Sequence, residues 1–332
     1  MSDRSSMRRH LAFVIKILIS ALLLYFCLRT VDLRTVGRRL GSANFEWLAA
    51  IFLLLTLQVP LLGVRWREIA AVCGARLTIA QAVRYVWIGL FFGQVLPSTA
   101  GGDAVRIWLM GRGGQGWSTA IYSVLLDRVA GVSAMAAVVV LCLPWTLQLI
   151  HDPAARLALV LIGFGALGGV AVFLACGTSP LRVIERWRLG RHLAAASRMA
   201  LHVCRTAVGL RVGALSVASH LLTVAAMWAA AMAVGGSVSF ADVLLLVLPV
   251  LLVATLPVSI AGWGIRESAM VLAFAYAGLP RDDGLMVSIL FGLANLAVGA
   301  CGGTVWISGH YSSRTAEAVE PIAGPATEMP QT

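Results

Sequence analysis

Several apolar runs in this chain reach 18 residues or more, the length a helix needs to cross the hydrocarbon of a bilayer, and arginine-bearing stretches separate them. A sequence of this kind has few folds open to it. No water inside a bilayer satisfies backbone N–H and C=O groups, so only helices and closed barrels span it, and runs this long and continuous are helical. Of 332 residues, 59% are hydrophobic and 12% charged, too little polar surface for a soluble core of this size. The chain reads as an all-α integral membrane protein. Its net charge is +11, from 26 Lys+Arg against 15 Asp+Glu. Most of the arginines lie between apolar runs, so this charge implies anionic lipid head groups as partner and not nucleic acid. The six cysteines are scattered without a C-x-x-C pair, and neither a disulfide framework, a metal site nor a cofactor is expected.

Charge bias orders the spans. Arg4, Arg8 and Arg9 mark residues 1–10 as a cytoplasmic N-terminus under the positive-inside rule. A single polytopic membrane domain follows over 11–308, with full spans at about 11–28, 47–65, 118–143, 155–176, 213–235 and 285–308. The first run is longer than a signal-peptide core and is followed by Leu28-Arg29-Thr30, so it reads as retained. Arg29, Arg34, Arg38 and Arg39 then fall where an outside loop is expected, in conflict with the charge rule. Pro144 and His151-Asp152-Pro153 read as a short outside loop, and Gly163, Gly165, Gly168 and Gly169 as a surface for close helix approach. Gln58 and Asn295 suit interhelical hydrogen bonds. Segment 177–212 reads as a cytoplasmic basic amphipathic helix on the inner membrane surface or, alternatively, as a solvated linker, with Arg188, Arg191, Arg198, His202 and Arg205 on one face. Leu193, Ala194, Leu201 and Cys204 occupy the other face. Residues 309–332 are polar and read as a disordered cytoplasmic tail, which places both termini inside.

Two further apolar regions are broken, and the breaks match. Residues 96–106 read Leu-Pro-Ser-Thr-Ala-Gly-Gly-Asp-Ala-Val-Arg, and residues 256–266 read Leu-Pro-Val-Ser-Ile-Ala-Gly-Trp-Gly-Ile-Arg. Laid on each other without a gap, Pro97 meets Pro257, Thr99 meets Ser259, Gly102 meets Gly262 and Arg106 meets Arg266. A break in hydrocarbon leaves backbone groups unpaired at several kcal/mol each, and is tolerated only under cover of protein or a wet cavity. The arms of the first break are about 25 Å and 15 Å long as helices, short of a core about 30 Å thick. Each break therefore reads as a re-entrant hairpin, at about 80–112 and 243–278. They dip from opposite sides, as an inverted internal repeat requires. Paired broken segments of this kind point to a transporter's central site.

Six charges lie in or beside these elements: Arg106, Arg128 and Arg266 with Asp103, Asp127 and Glu267. An unpaired charge at mid-bilayer costs about 3 kcal/mol or more, so none of the six is expected to face lipid. Two readings stand side by side. In one, the six form a buried ion-pair network that locks the hairpins to the third span. In the other, Arg106 and Arg266 bind an anionic head group, since guanidinium donates two parallel hydrogen bonds to phosphate and stays charged when desolvated. Thr99 and Ser259 would add hydroxyl donors, and Gly101, Gly102, Gly262 and Gly264 close backbone approach. Pro97 and Pro257 would turn the hairpins, with half-helix N-termini just after Gly102 and Gly262. Asp103, Asp127 or Glu267 would be available to exchange a proton. Asp127 and Arg128 point about 100° apart on a helix, so each is expected to find a partner on a hairpin.

The two motifs, with Asp127-Arg128 between them, resemble the lysylphosphatidylglycerol synthase transmembrane, or flippase-like, family over about residues 10–310. In the two-part relatives, the multiple peptide resistance factors, the membrane domain translocates aminoacylated phosphatidylglycerol and a separate soluble domain makes it. The resemblance therefore implies a bacterial inner-membrane flippase without synthase activity, acting on an anionic phospholipid or a polyprenyl-phosphate-type lipid. The second motif departs from the family's usual Ile-Gly-Gly-Leu-Gly at Ala261 and Trp263, and a tryptophan there narrows the path or changes the head group accepted. No Gly-x-Ser-x-Gly elbow, His-Glu-x-x-His or Walker A sequence is present, and no enzymatic activity is expected. Two alternatives remain: an accessory protein for lipid, hopanoid or envelope synthesis, acting as a homo-oligomer or with an enzyme partner, and a small-solute secondary transporter.

Overall fold

The computed structural model describes residues 33–96, 100–178, 187–255 and 263–308. The expected first span, the N-terminal stretch and the C-terminal tail lie outside the described residues, as do the turn residues Pro97, Thr99, Pro257, Ser259 and Gly262. Among the described residues there are eleven α-helices and no strand. They are α1 (Leu33–Gly41), α2 (Phe45–Val72), α3 (Ile79–Val95), α4 (Gly101–Met110), α5 (Trp117–Leu149), α6 (Pro153–Thr178), α7 (Arg188–Cys204), α8 (Ala207–Ala233), α9 (Phe240–Ala254), α10 (Ile265–Tyr276) and α11 (Arg281–Ser308). Five of these, α2, α5, α6, α8 and α11, are long and apolar enough to cross a membrane. The chain is an all-α membrane protein.

All five are longer than the apolar pattern suggested, α2 and α5 by the most. Helix α2 continues past residue 65 to Val72, because Val59, Gly63, Trp66 and Ala70 keep one buried face at helical spacing. Helix α5 runs through Pro144 to Leu149, so Pro144 is not part of the loop expected there. A proline removes a single N–H from a membrane helix, and the surrounding turns keep their bonds; Thr146 also donates its hydroxyl to the Cys142 carbonyl at 3.1 Å.

The two broken segments fold as pairs of short helices, α3 with α4 and α9 with α10. Both pairs begin on a hydroxyl cap. Thr78 and Gln81 satisfy each other's backbone N–H at 3.1 and 3.0 Å, and Ser239 accepts from the Asp242 N–H at 3.1 Å. At 17, 10, 15 and 12 residues, none of the four helices reaches about 30 Å. The first pair packs backbone to backbone, with Gly102 against the Gly89 carbonyl oxygen and the Gly93 amide. No side chain fits there.

The pairs are tied down at opposite ends of the bundle. At one end the Arg76 N–H donates to the Gln115 side chain at 2.7 Å, closing the two legs of the first pair beside the end of α2. At the other end the Asn44 N–H donates to the Ala233 carbonyl at 2.9 Å. There Arg39 also reaches the Val234 carbonyl at 2.8 and 3.0 Å and the Asp283 carboxylate at 2.6 Å. Those contacts bracket both legs of the second pair. Trp47, Trp228 and Phe240 stack edge to face at the same end. Helix α11 crosses α3 closely, with Gly302 against the Trp87 carbonyl oxygen and the Trp87 indole N–H donating to the Val298 carbonyl at 2.9 Å.

Gly165, Gly168 and Gly169 of α6 face open space, and of the four glycines expected to pack only Gly163 meets a neighbour, Val140. Helix α6 lies at the rim, with 11% of its apolar window buried, so its small residues are not a packing surface. Helix α7 buries Ala194, Ala196, Ala200 and Val203 against its neighbours, while Leu193 and Cys204 are exposed. Gln58 bridges helices as expected, donating to Ser219 and Thr223 of α8 at 2.9 and 2.8 Å. Asn295 instead donates within its own helix, to the Phe291 carbonyl at 2.8 Å.

Candidate functional site

Helices α2, α4 and α5 bring five charges together. Asp127 of α5 accepts from Arg65 Nε at 2.8 Å and from Arg106 Nη2 at 2.9 Å, and its side chain is 4% exposed. Asp103 of α4 accepts from Arg128 through Nε at 2.6 Å and Nη2 at 2.9 Å, a two-bond fork, and from Arg106 Nη1 at 3.4 Å. Asp127 and Arg128 thus face different partners, each on the first hairpin, and do not pair with each other.

Three guanidinium groups therefore face two carboxylates, leaving one formal positive charge among the described residues. The charge is unevenly placed. Arg65 and Arg106 are each 8% exposed, whereas the Arg128 side chain is 60% exposed. Arg106 Nε is buried without a hydrogen-bond partner among the described residues. Trp66 lies under that guanidinium, 4.2 Å from ring centroid to Cζ, which offsets part of the desolvation. Gly89 makes room for it, since a Cβ there would stand 3.0 Å from Arg106 Cγ. Asp103 occupies the first turn of α4, where the helix dipole favours a negative charge.

The second pair is built differently. Arg266 donates to Ser288 Oγ at 2.9 Å, to the Ser288 carbonyl at 3.2 Å and to Glu267 Oε1 at 2.7 Å. It lies between the rings of Trp263 and Phe291, at 5.1 and 5.3 Å. Glu267 is fully buried; its Oε1 accepts from Ser288 at 2.9 Å and its Oε2 from the Gly264 N–H at 2.6 Å. One cation meets one anion.

The matched motifs are therefore not matched helices. Helix α4 starts at Gly101, but α10 starts only at Ile265, because Gly264 adopts a φ of +88° and interrupts the turn. The expected second half-helix N-terminus just after Gly262 is displaced to Gly264. The acids are not counterparts in the alignment: Asp103, which matches Trp263, reaches Arg128 across to α5, while Glu267, which matches Ile107, turns back and caps its own helix. Of the expected site residues, Gly101, Gly102, Asp103, Arg106, Asp127 and Arg128 converge at the first pair, and Gly264, Arg266 and Glu267 at the second. Trp263 packs on Arg266.

Arg65 closes the span expected over 47–65, where an arginine marks the membrane boundary and by itself gives no sign of a site. Its signal lay in the apolar spacing that continues through Trp66, Ile69 and Ala70. Ser288 carried no signal, since one serine in a long apolar run is unremarkable until Arg266 lies over it. His220, in α8, places Nε2 2.9 Å from the Gly131 carbonyl and holds α8 to α5.

A membrane protein of Pyrococcus horikoshii described as UPF0104 is 22% identical to this chain over 188 residues, 55% of this chain and 52% of the relative. The match spans about half of that relative's length. Residues 13–303 match the family described as lysylphosphatidylglycerol synthase TM region. With that match covering most of its length, the chain belongs to the lysylphosphatidylglycerol synthase TM region family.

Proposed function

We propose that this protein moves an anionic lipid, or a lipid-linked phosphate, between the leaflets of a bacterial inner membrane, with the head group received at the first hairpin. One observation carries the reading: among the described residues, the α2–α4–α5 cluster holds one guanidinium more than its carboxylates neutralise. A buried excess charge is costly unless an anion visits it. The exposed Arg128 fork is where a phosphate exchanges with Asp103, taking the same two parallel hydrogen bonds. Arg106 supplies the unused Nε donor behind it. The second pair, charge-matched at Arg266 and Glu267, is the opposing re-entrant element, with the start of α10 held against α11.

Orientation follows from the ends. Arg76, Arg84, Arg112, Arg191 and Arg205 are exposed around the end where the first pair opens, which we assign to the cytoplasm. The conflict posed by the arginines at 29–46 eases at the opposite end, where Arg39 is matched by Asp283. We assign no enzymatic step to the chain; the groups gathered here bind charge. The test is leaflet translocation in proteoliposomes, using labelled phosphatidylglycerol, lysyl-phosphatidylglycerol and a polyprenyl phosphate, with phosphatidylcholine as control. Protein-dependent translocation of a phosphate-bearing member and not of phosphatidylcholine supports the reading. No translocation by intact protein supports a non-transporting accessory role.

A further inference from the structure

A cavity lies beside the charged cluster against α5, and what it implies stands whether or not the hairpins transport. Leu126, Ala130 and Ser133 of α5 line this cavity of about 290 Å³, which Val170, Ala200 and Val212, from α6, α7 and α8, help to close. Asp127 itself does not line the cavity, being held by Arg65 and Arg106; the cavity and the charged cluster share α5 and, through Ile69 and Arg65, α2, but no lining residue. The hydroxyl in the cavity wall is already used: Ser133 donates to the Val129 carbonyl at 2.6 Å. The volume is near the lower limit of ligand pockets and the walls are apolar, which suits a hydrocarbon chain and not a head group.

The mouth supplies the rest. The cavity reaches Cys204 and Gly209, at the elbow where α7 ends and α8 begins. Gly209 lets the two helices close there, since a Cβ would stand 2.5 Å from the Val203 carbonyl oxygen. Arg205, next to Cys204, is exposed, and Arg211, next to the cavity residue Val212, is 61% exposed. Glu68 is shared by Arg211 at 3.2 Å and Arg67 at 3.0 Å, so the rim keeps an excess of positive charge among the described residues. We propose that this cavity seats one acyl chain of an anionic phospholipid, with the lipid phosphate on Arg205 and Arg211. The bound lipid fastens α7 to the α5–α6–α8 wall.

Phosphatidylglycerol and phosphatidylcholine carrying a diazirine near the end of one acyl chain test this on the full chain in nanodiscs. The phosphatidylglycerol probe is expected to give adducts on α5, α6 and α8 cavity residues, displaced by unlabelled phosphatidylglycerol and lost in Ala130→Trp, which fills the space. Arg205→Gln with Arg211→Gln changes only exposed side chains and keeps the test valid if Ala130→Trp does not fold. That pair is expected to lower the preference for phosphatidylglycerol over phosphatidylcholine about 30-fold. As an independent reading, phosphatidylglycerol is expected to slow N-ethylmaleimide labelling of Cys204, which lines the cavity. Burial pushes the Cys73 thiol up to about 11, which keeps it poorly reactive at neutral pH. Equal adducts from both lipids overturn the proposal, as do adducts confined to the outer surface or cross-links from the cavity to the chain itself or to a second copy.

Discussion

At the scale of single residues, the two hairpin arginines have parted roles that their aligned positions concealed. Asp127 is the hinge of the first cluster, because two buried guanidinium groups share it. Asp127→Asn is expected to leave both under-neutralised and to cost about 3–5 kcal/mol, seen as a large fall in Tm in detergent. Glu267→Gln should cost about as much, since it unpairs Arg266 and weakens the cap on Gly264. Arg128→Gln should change stability by no more than about 1 kcal/mol, because its side chain is 60% exposed and Asp103 keeps Arg106. A Tm that falls equally in all three variants would mean that the clusters are structural alike.

At the scale of elements, the breaks were legible and their geometry was not. Proline, small hydroxyls and glycine inside apolar runs located both helix pairs, and arm length showed that the arms were too short to span. The alignment could not show that α10 starts at Ile265, because that rests on the backbone angle at one glycine. Glycines in α6 misled for a related reason: composition says that a close approach is allowed and not that a neighbour is there. The contacts lie at Gly102 and Gly302 instead. Gly102→Ala and Gly302→Ala are each expected to cost roughly 1–3 kcal/mol or more through overpacking on backbone carbonyls. Gly168→Ala, in open space on a helix, should stabilise by up to about 1 kcal/mol. Thermal denaturation of the three variants checks the contrast.

At the scale of the whole molecule, five of the six expected spans followed from hydropathy, and five long apolar helices stand there among the described residues, because the bilayer sets both length and composition. The excess charge at the first hairpin did not, since it depended on where α2 ends. The opposed tethering of the two pairs makes an orientation prediction. Single cysteines placed at Asp152 and Ser237, in an otherwise cysteine-free chain, should react with an impermeant maleimide added outside. Those at Arg76 and Arg191 should react only after permeabilisation; labelling of all four from outside would undo the assignment of the cytoplasmic face.

The most direct test of the central claim, that the Arg128–Asp103 fork between α5 and the first hairpin receives the head group, is the translocation rate of the accepted lipid by Arg128→Gln beside wild type at matched Tm. The account predicts a fall of about tenfold or more, the loss expected for hydrogen bonds to a charged group. An unchanged rate would contradict it and leave the α4–α5 ion pairs as a lock that transport does not use.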